Sequence, residues 1–135
     1  MAMKYQSVVA LYNATIQEVT ARPENWMAFL KTASTNFRLP FDEQLLVHAQ
    51  RPDVTAVLTT ERWNRRFGRW VKPGSKGIAV FDKQSDRLHL KHYFDLSDTK
   101  EGWNKHRVRP VPLWQVQETH HPAIVETLED TFGTL

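Results

Sequence analysis

The sequence predicts an α+β fold, with N-terminal helices packed on a small antiparallel β-sheet and a C-terminal helix. Three observations carry this. Residues 1–50 repeat apolar side chains at spacings of three and four, the period of a helix with one buried face. From residue 78 the apolar residues fall in short runs, some alternating, set between Gly, Pro and Asp clusters, as in strands and turns. Near the end, Ile124, Val125, Leu128 and Phe132 return to helical spacing. The length of 135 residues suits one domain, 1–135, with enough chain to bury a core.

Tyr5, Val8, Val9, Tyr12, Ile16 and Val19 make the stripe of a first helix. Arg22-Pro23 interrupts it, and proline suits the first turn of the next, where its missing N–H is not needed. Trp26, Phe29, Leu30, Ala33 and Phe37 form that second stripe, up to Leu39-Pro40. Phe41, Leu45, Leu46 and Ala49 form a third, with Asp42 and Glu43 at its positive N-terminal end and Arg51-Pro52 as its stop. Thr59 or Thr60 can cap a short helix running to about Phe67, which Gly68 ends. Lys72–Gly77 is a turn by composition, and Ile78–Phe81 a short strand. Residues 82–86 read as a polar hairpin loop. Leu88, Leu90, His92 and Phe94 alternate with His89, Lys91 and Tyr93, a strand with one buried face. Residues 95–104 read as loop, and 108–113, with Pro110 and Pro112, as an extended edge segment.

Composition excludes several classes. The chain has no cysteine, which removes disulfides, thiolate metal sites and a cysteine nucleophile, and fits a reducing cytoplasm. No apolar run approaches the roughly 20 residues of a membrane helix, and residues 1–6 lack a signal-peptide layout. A cytoplasmic protein without membrane partners is expected. Charge is localised. Residues 51–110 hold 14 basic and seven acidic side chains, whereas residues 1–50 are balanced and residues 111–135 carry four acidic and no basic ones. A basic block of this kind points to a polyanion, most often nucleic acid.

The densest part is residues 61–78, where six basic residues fall among three aromatics. On a helix, Arg62, Arg65 and Arg66 share one face, and Trp63 and Phe67 share another. Arg69, Trp70, Lys72 and Lys76 follow, with Gly74 and Gly77 in the turn. Cations supply salt-dependent phosphate contacts, glycine backbone can approach a phosphate, and aromatic faces stack on unpaired bases. The alternative for Trp63, Phe67 and Trp70 is the core, and for the glycines an ordinary turn. A Walker loop is excluded, because Ser75 stands where its lysine belongs.

Catalytic patterns are missing. His89 and His92 diverge on a strand, there is no His-Glu-x-x-His helix, and no serine has the setting of a nucleophile elbow. Asp95 and Asp98 flank a turn, where such residues bond to backbone. No catalytic residue, metal or other cofactor is expected.

The order of motifs resembles a known family. Phe41–Val57 with its Ala-Gln-Arg-Pro, then Trp63-Asn64, Gly68–Val80, and Tyr93–Thr99 with its Phe-Asp-x-Ser-x-Thr together resemble the N-terminal single-stranded-DNA-binding domain of ArdC-type antirestriction proteins. The resemblance covers about residues 25–100 and falls on Gln50, Arg51, Trp63, Gly68, Arg69, Lys72, Gly74, Lys76, Gly77, Asp95 and Thr99. Ser75 departs from it, standing where the family commonly has Glu. The family pattern implies a hairpin at the Gly-Arg-x-Val-x-x-Gly-x-Lys-Gly stretch. It also implies a setting in plasmids and integrative conjugative elements. Leu39–Gln44 is closest to the form at the N-terminus of large mobile-element proteins, so an N-terminal fragment of a longer protein is expected.

The expected function is a non-catalytic, largely electrostatic and sequence-tolerant module for single-stranded DNA, with RNA as the alternative strand. Arg62, Arg65, Arg66, Arg69, Lys72 and Lys76 are expected on phosphates. One or more of Trp63, Trp70 and Tyr93 is expected to stack on bases, and Arg87 and Lys91 to extend the groove. A second reading is a protein-docking domain whose basic face meets an acidic partner. A third is an enzyme, or an accessory domain completing an active site elsewhere in a longer chain.

Overall fold

The three predicted helices form where their apolar stripes lie: α1 over Tyr5–Ala21, α2 over Pro23–Thr35 and α3 over Phe41–Gln50. The structure is a computed structural model, and it describes residues 4–84 and 88–113. Pro23 opens α2, where a missing donor costs nothing. Val19, Trp26, Phe29, Leu30, Ala33 and Leu45 bury one cluster among the three helices.

A second cluster joins the helices to a three-stranded antiparallel sheet. Its strands are β1, Val57–Leu58, β3, Ile78–Asp82, and β4, His89–Asp95, in the order β1-β4-β3. Val8 of α1, Leu46 and Val47 of α3, Ile78, Ala79 and Val80 of β3, and Tyr93 of β4 are all buried in this cluster. The free edge of β3 is closed by one side chain. Gln50 Nε2 donates to the Ala79 carbonyl at 2.9 Å, and the Ala79 N–H donates to Gln50 Oε1 at 3.0 Å. The carboxamide thus makes the two bonds of a further strand and blocks that edge.

The remaining elements carry the basic block. Helix α4, Thr60–Phe67, is capped by Thr59, whose hydroxyl accepts from the Arg62 N–H at 3.4 Å, and ends at Gly68 with φ +64°. Strand β2, Arg69–Val71, pairs antiparallel with β5, Thr99–Glu101, as Trp70 opposite Lys100. A 3-10 turn at Leu96–Asp98 joins β4 to β5, and a second covers Lys105–Arg107.

Several expectations are corrected. Strands β1, β2 and β5 were not legible, and β5 lies within the stretch read as loop. Each has two or three residues, too few to show alternation, and β2 finds its partner about 30 residues away. The Lys72–Gly77 turn is not a hairpin. Strand β2 pairs with β5 and β3 with β4, so the turn crosses from one sheet to the other. Alternation marked β4 but not its buried set, since Tyr93 and Asp95 are buried while Leu88 is 77% exposed. Residues 108–113 join no ladder among the described residues, and the Arg109 N–H bonds to the Phe67 carbonyl at 3.0 Å. The expected C-terminal helix, and part of the 82–86 loop, lie outside the described residues. No helix among the described residues is long and apolar enough to cross a membrane.

Candidate nucleic-acid interface

Helix α4 divides its side chains as its spacing requires. Trp63 turns inward and is fully buried, its Nε1 donating to the Phe94 carbonyl at 2.8 Å. Phe67 packs against it with ring centroids 5.7 Å apart. Arg62, Arg65 and Arg66 are exposed. Arg65 pairs with Glu61 one turn earlier, and the Arg66 guanidinium lies over the Phe67 ring at 5.7 Å. The indole of Trp63 therefore anchors a helix whose outer face carries three cations.

Two glycines bring the rest of the basic block against this helix. At Gly68 the chain turns with a positive φ, and a Cβ there would meet the Arg107 carbonyl oxygen at 2.5 Å. At Gly102 a Cβ would meet Trp70 Nε1 at 2.4 Å and the Gly68 carbonyl oxygen at 2.7 Å. The Gly102 N–H donates to that same carbonyl at 2.9 Å. Only residues without a Cβ permit this approach. It seats 102–108 beside the end of α4 and the start of β2.

The result is an open groove of about 480 Å³. Trp70 and Trp103 line it, with Arg65 and Asn64 from α4 and Asn104 and Arg107 from the later segment. Trp70 is 44% exposed and Trp103 85% exposed. Tryptophan is mostly buried in folded proteins, so two such indoles in one groove are informative. Segments 61–72 and 100–109 together hold nine basic and two acidic side chains. Both acids are engaged: Glu61 with Arg65, and Glu101 with Lys105 at 3.0 Å. The ammonium of Lys105 holds the exposed Glu101 carboxyl below its usual pKa.

The other predicted residues divide clearly. Lys76 and Lys72 are exposed in the sheet-crossing turn, and Lys72 Nζ donates to the Ser97 carbonyl at 3.3 Å. Arg69 is half-buried and structural in its contacts, donating from Nε to Thr99 Oγ1 at 2.7 Å and from Nη2 to the Thr99 carbonyl at 3.2 Å. Arg62, Lys76, Lys100 and Arg107 make no ion pair with a described carboxylate. Arg87 lies outside the described residues.

Two expectations fail on burial, and a third on the direction its side chain takes. Trp63 cannot stack on a base, because it is core. Tyr93 is 6% exposed and its hydroxyl donates to Glu43. Burial, then the Glu43 carboxylate, pushes the Tyr93 phenol well above its usual pKa. Lys91 does not extend the groove. Its Nζ lies 3.5 Å from Glu43 Oε2 and 5.4 Å from the Tyr93 ring centroid, turned toward α3.

Trp103 and Arg107 were missed. A signal was present, since Lys100–Arg109 repeats the interleaving of cations with an aromatic, and Trp-Asn occurs in both segments. In the first Trp-Asn only the asparagine reaches the groove. In the second both do. Outside the groove lining, Arg51 pairs with Asp98 at 2.5 Å and lies 4.0 Å from Asp95, fixing the turn that leads into β5. Burial raises the Asp95 pKa, but hydrogen bonds from the Ser97 hydroxyl and the N–H groups of Thr55, Ser97 and Ala56 outweigh it and hold the carboxyl below its usual range. Among the described residues no three His, Asp or Glu side chains gather as a metal site.

Searches of protein-family models, curated proteins and solved structures find no match to this chain.

Proposed function

We propose that this chain is a non-catalytic binding module for single-stranded nucleic acid, DNA in the first instance, held through phosphate contacts and base stacking. One observation carries the reading: two exposed indoles, Trp70 and Trp103, share an open groove with Arg65 and Arg107. Exposed aromatic faces need unpaired bases, since a duplex keeps its bases stacked inside. Stacking on an aromatic contributes about 1–3 kcal/mol per base and tolerates any sequence. The surrounding cations supply the salt-dependent part of the affinity. The resemblance to ArdC-type domains supports the same ligand and a setting in mobile-element DNA, in antirestriction or conjugation.

The test is fluorescence anisotropy with a labelled mixed-sequence 20-mer, single-stranded and duplex, at low and moderate salt. The expected result is single-strand binding that exceeds duplex binding and weakens as salt rises. Equal binding of both forms would reduce the site to a generic basic surface. No binding at low salt would transfer the basic face to an acidic protein partner.

A further inference from the structure

The polar groups of the groove are not those of a phosphate site alone. Asn64 Nδ2 donates to the Arg69 carbonyl at 2.6 Å, which fixes the carboxamide and leaves Oδ1 as an acceptor. Glu61 meets Arg65 through Oε1, which leaves Oε2. Residues 61 and 64 are three apart on α4, so they are neighbours on one helix face. Two residues of the groove lining, neighbours on α4, therefore each keep an acceptor oxygen. A phosphate has no hydrogen to give them and is repelled by the carboxylate. Asn104 is oriented the other way. Its Oδ1 accepts from the His106 N–H at 3.1 Å, which leaves Nδ2 as a donor. Arg65 and Arg107 add further donors on the same rim.

The ligand that satisfies this wall is a flat group with two adjacent donors, further acceptors and a face for an indole. Among the DNA bases only guanine presents two donor nitrogens side by side, N1–H and N2–H, and its O6 and N7 are the usual acceptors for arginine. We propose that the groove takes one guanine, with N1–H and N2–H on Glu61 and Asn64, O6 or N7 toward an arginine or Asn104, and the ring against Trp70 or Trp103. A volume of about 480 Å³ lies in the ~300–1,000 Å³ range of small-ligand clefts. In its strand form the inference rests on the single-strand reading above. It then gives an otherwise sequence-tolerant module a preference at one position. A free guanine nucleotide carries the same base chemistry, and the experiment separates the two sources.

The full 135-residue chain is titrated with labelled 20-mers of thymidine in which one central position is T, G, A or hypoxanthine. Tryptophan quenching by free GMP and AMP is measured alongside. The expected result is that the strand with guanine binds about tenfold tighter than the others, the discrimination a good bidentate contact gives. Hypoxanthine, which lacks the N2 amine, should lose most of that gain, and Glu61→Gln should bring the G and A strands together. A ratio between strands is not moved by a general loss of folded protein. Equal binding of all four strands would overturn the inference and leave the single-strand reading standing. Quenching by GMP over AMP without strand binding would overturn the single-strand reading and keep the guanine site for a free nucleotide. Absence of both would overturn both.

Discussion

Gly102 lies so close to Trp70 that a Cβ on it would stand 2.4 Å from the indole Nε1. The glycine backbone is the floor on which the edge of that indole rests. With the Gly68 carbonyl oxygen 2.7 Å from the same point, a methyl group at residue 102 finds no room unless the ring or the backbone moves. Gly102→Ala is therefore expected to cost about 1–3 kcal/mol through overpacking. It should also weaken single-strand binding by displacing Trp70. Urea melts and anisotropy on the same variant check both effects, and unchanged values for both would remove this glycine from the site.

The tryptophans separate stability from binding. Trp103 is 85% exposed, so Trp103→Ala should change stability by less than about 0.5 kcal/mol. The same variant should lose about 1–3 kcal/mol of single-strand affinity. Trp63 is fully buried, so Trp63→Ala should cost about 3–5 kcal/mol of stability. Melting and titration of the two variants side by side would reverse the assignment if Trp103 proved the structural one.

Arginines on the open face of α4 should appear in the salt dependence. Charge-neutralising Arg65→Gln and Arg66→Gln together should flatten the slope of log affinity against log salt by about 0.7 for each phosphate that is no longer neutralised. Lys91→Gln should leave that slope alone, because its ammonium lies 3.5 Å from Glu43 Oε2. A slope that moves for Lys91 and not for the arginine pair would put the strand elsewhere.

Asp95 links the fold to pH. The hydrogen bonds it accepts lower its folded pKa despite burial. The stabilisation is therefore fully present above the unfolded value of about 3.9 and is lost as pH falls through that value toward the folded one. Asp95→Asn should lower stability at pH 7 by about 1–3 kcal/mol, and the gap from the unchanged protein should begin to narrow as pH falls below about 4. Melting temperatures from pH 7 to pH 3 give the curve, and a gap constant across that range would deny the carboxylate its role.

The helical half of the molecule was legible because its information is local. The stripe from Val8 to Val19, Pro23 at the head of α2, and Thr59 and Gly68 at the ends of α4 each act within a turn or two of themselves. The sheet was legible only where a strand was long enough to alternate. The candidate site was read in part. Arg65 and Trp70 belong to the groove, whereas Trp63, Tyr93 and Lys91 share its composition and none of its position. Aromatics among cations look alike in sequence whether they face solvent or core, and only packing distinguishes them.

Local residue patterns alone put helices first and a sheet after them, and put a positive field on residues 51–110. Period, capping chemistry and net charge are properties of neighbouring residues, so they survive without coordinates. Only the folded chain brings Trp70 and Trp103, 33 positions apart, to one groove. That meeting depends on the β2–β5 pairing and on two glycines that let backbone touch backbone. Strand pairing across such a separation and the absence of a side chain leave no periodic trace, and the site they build becomes visible only when the chain is folded.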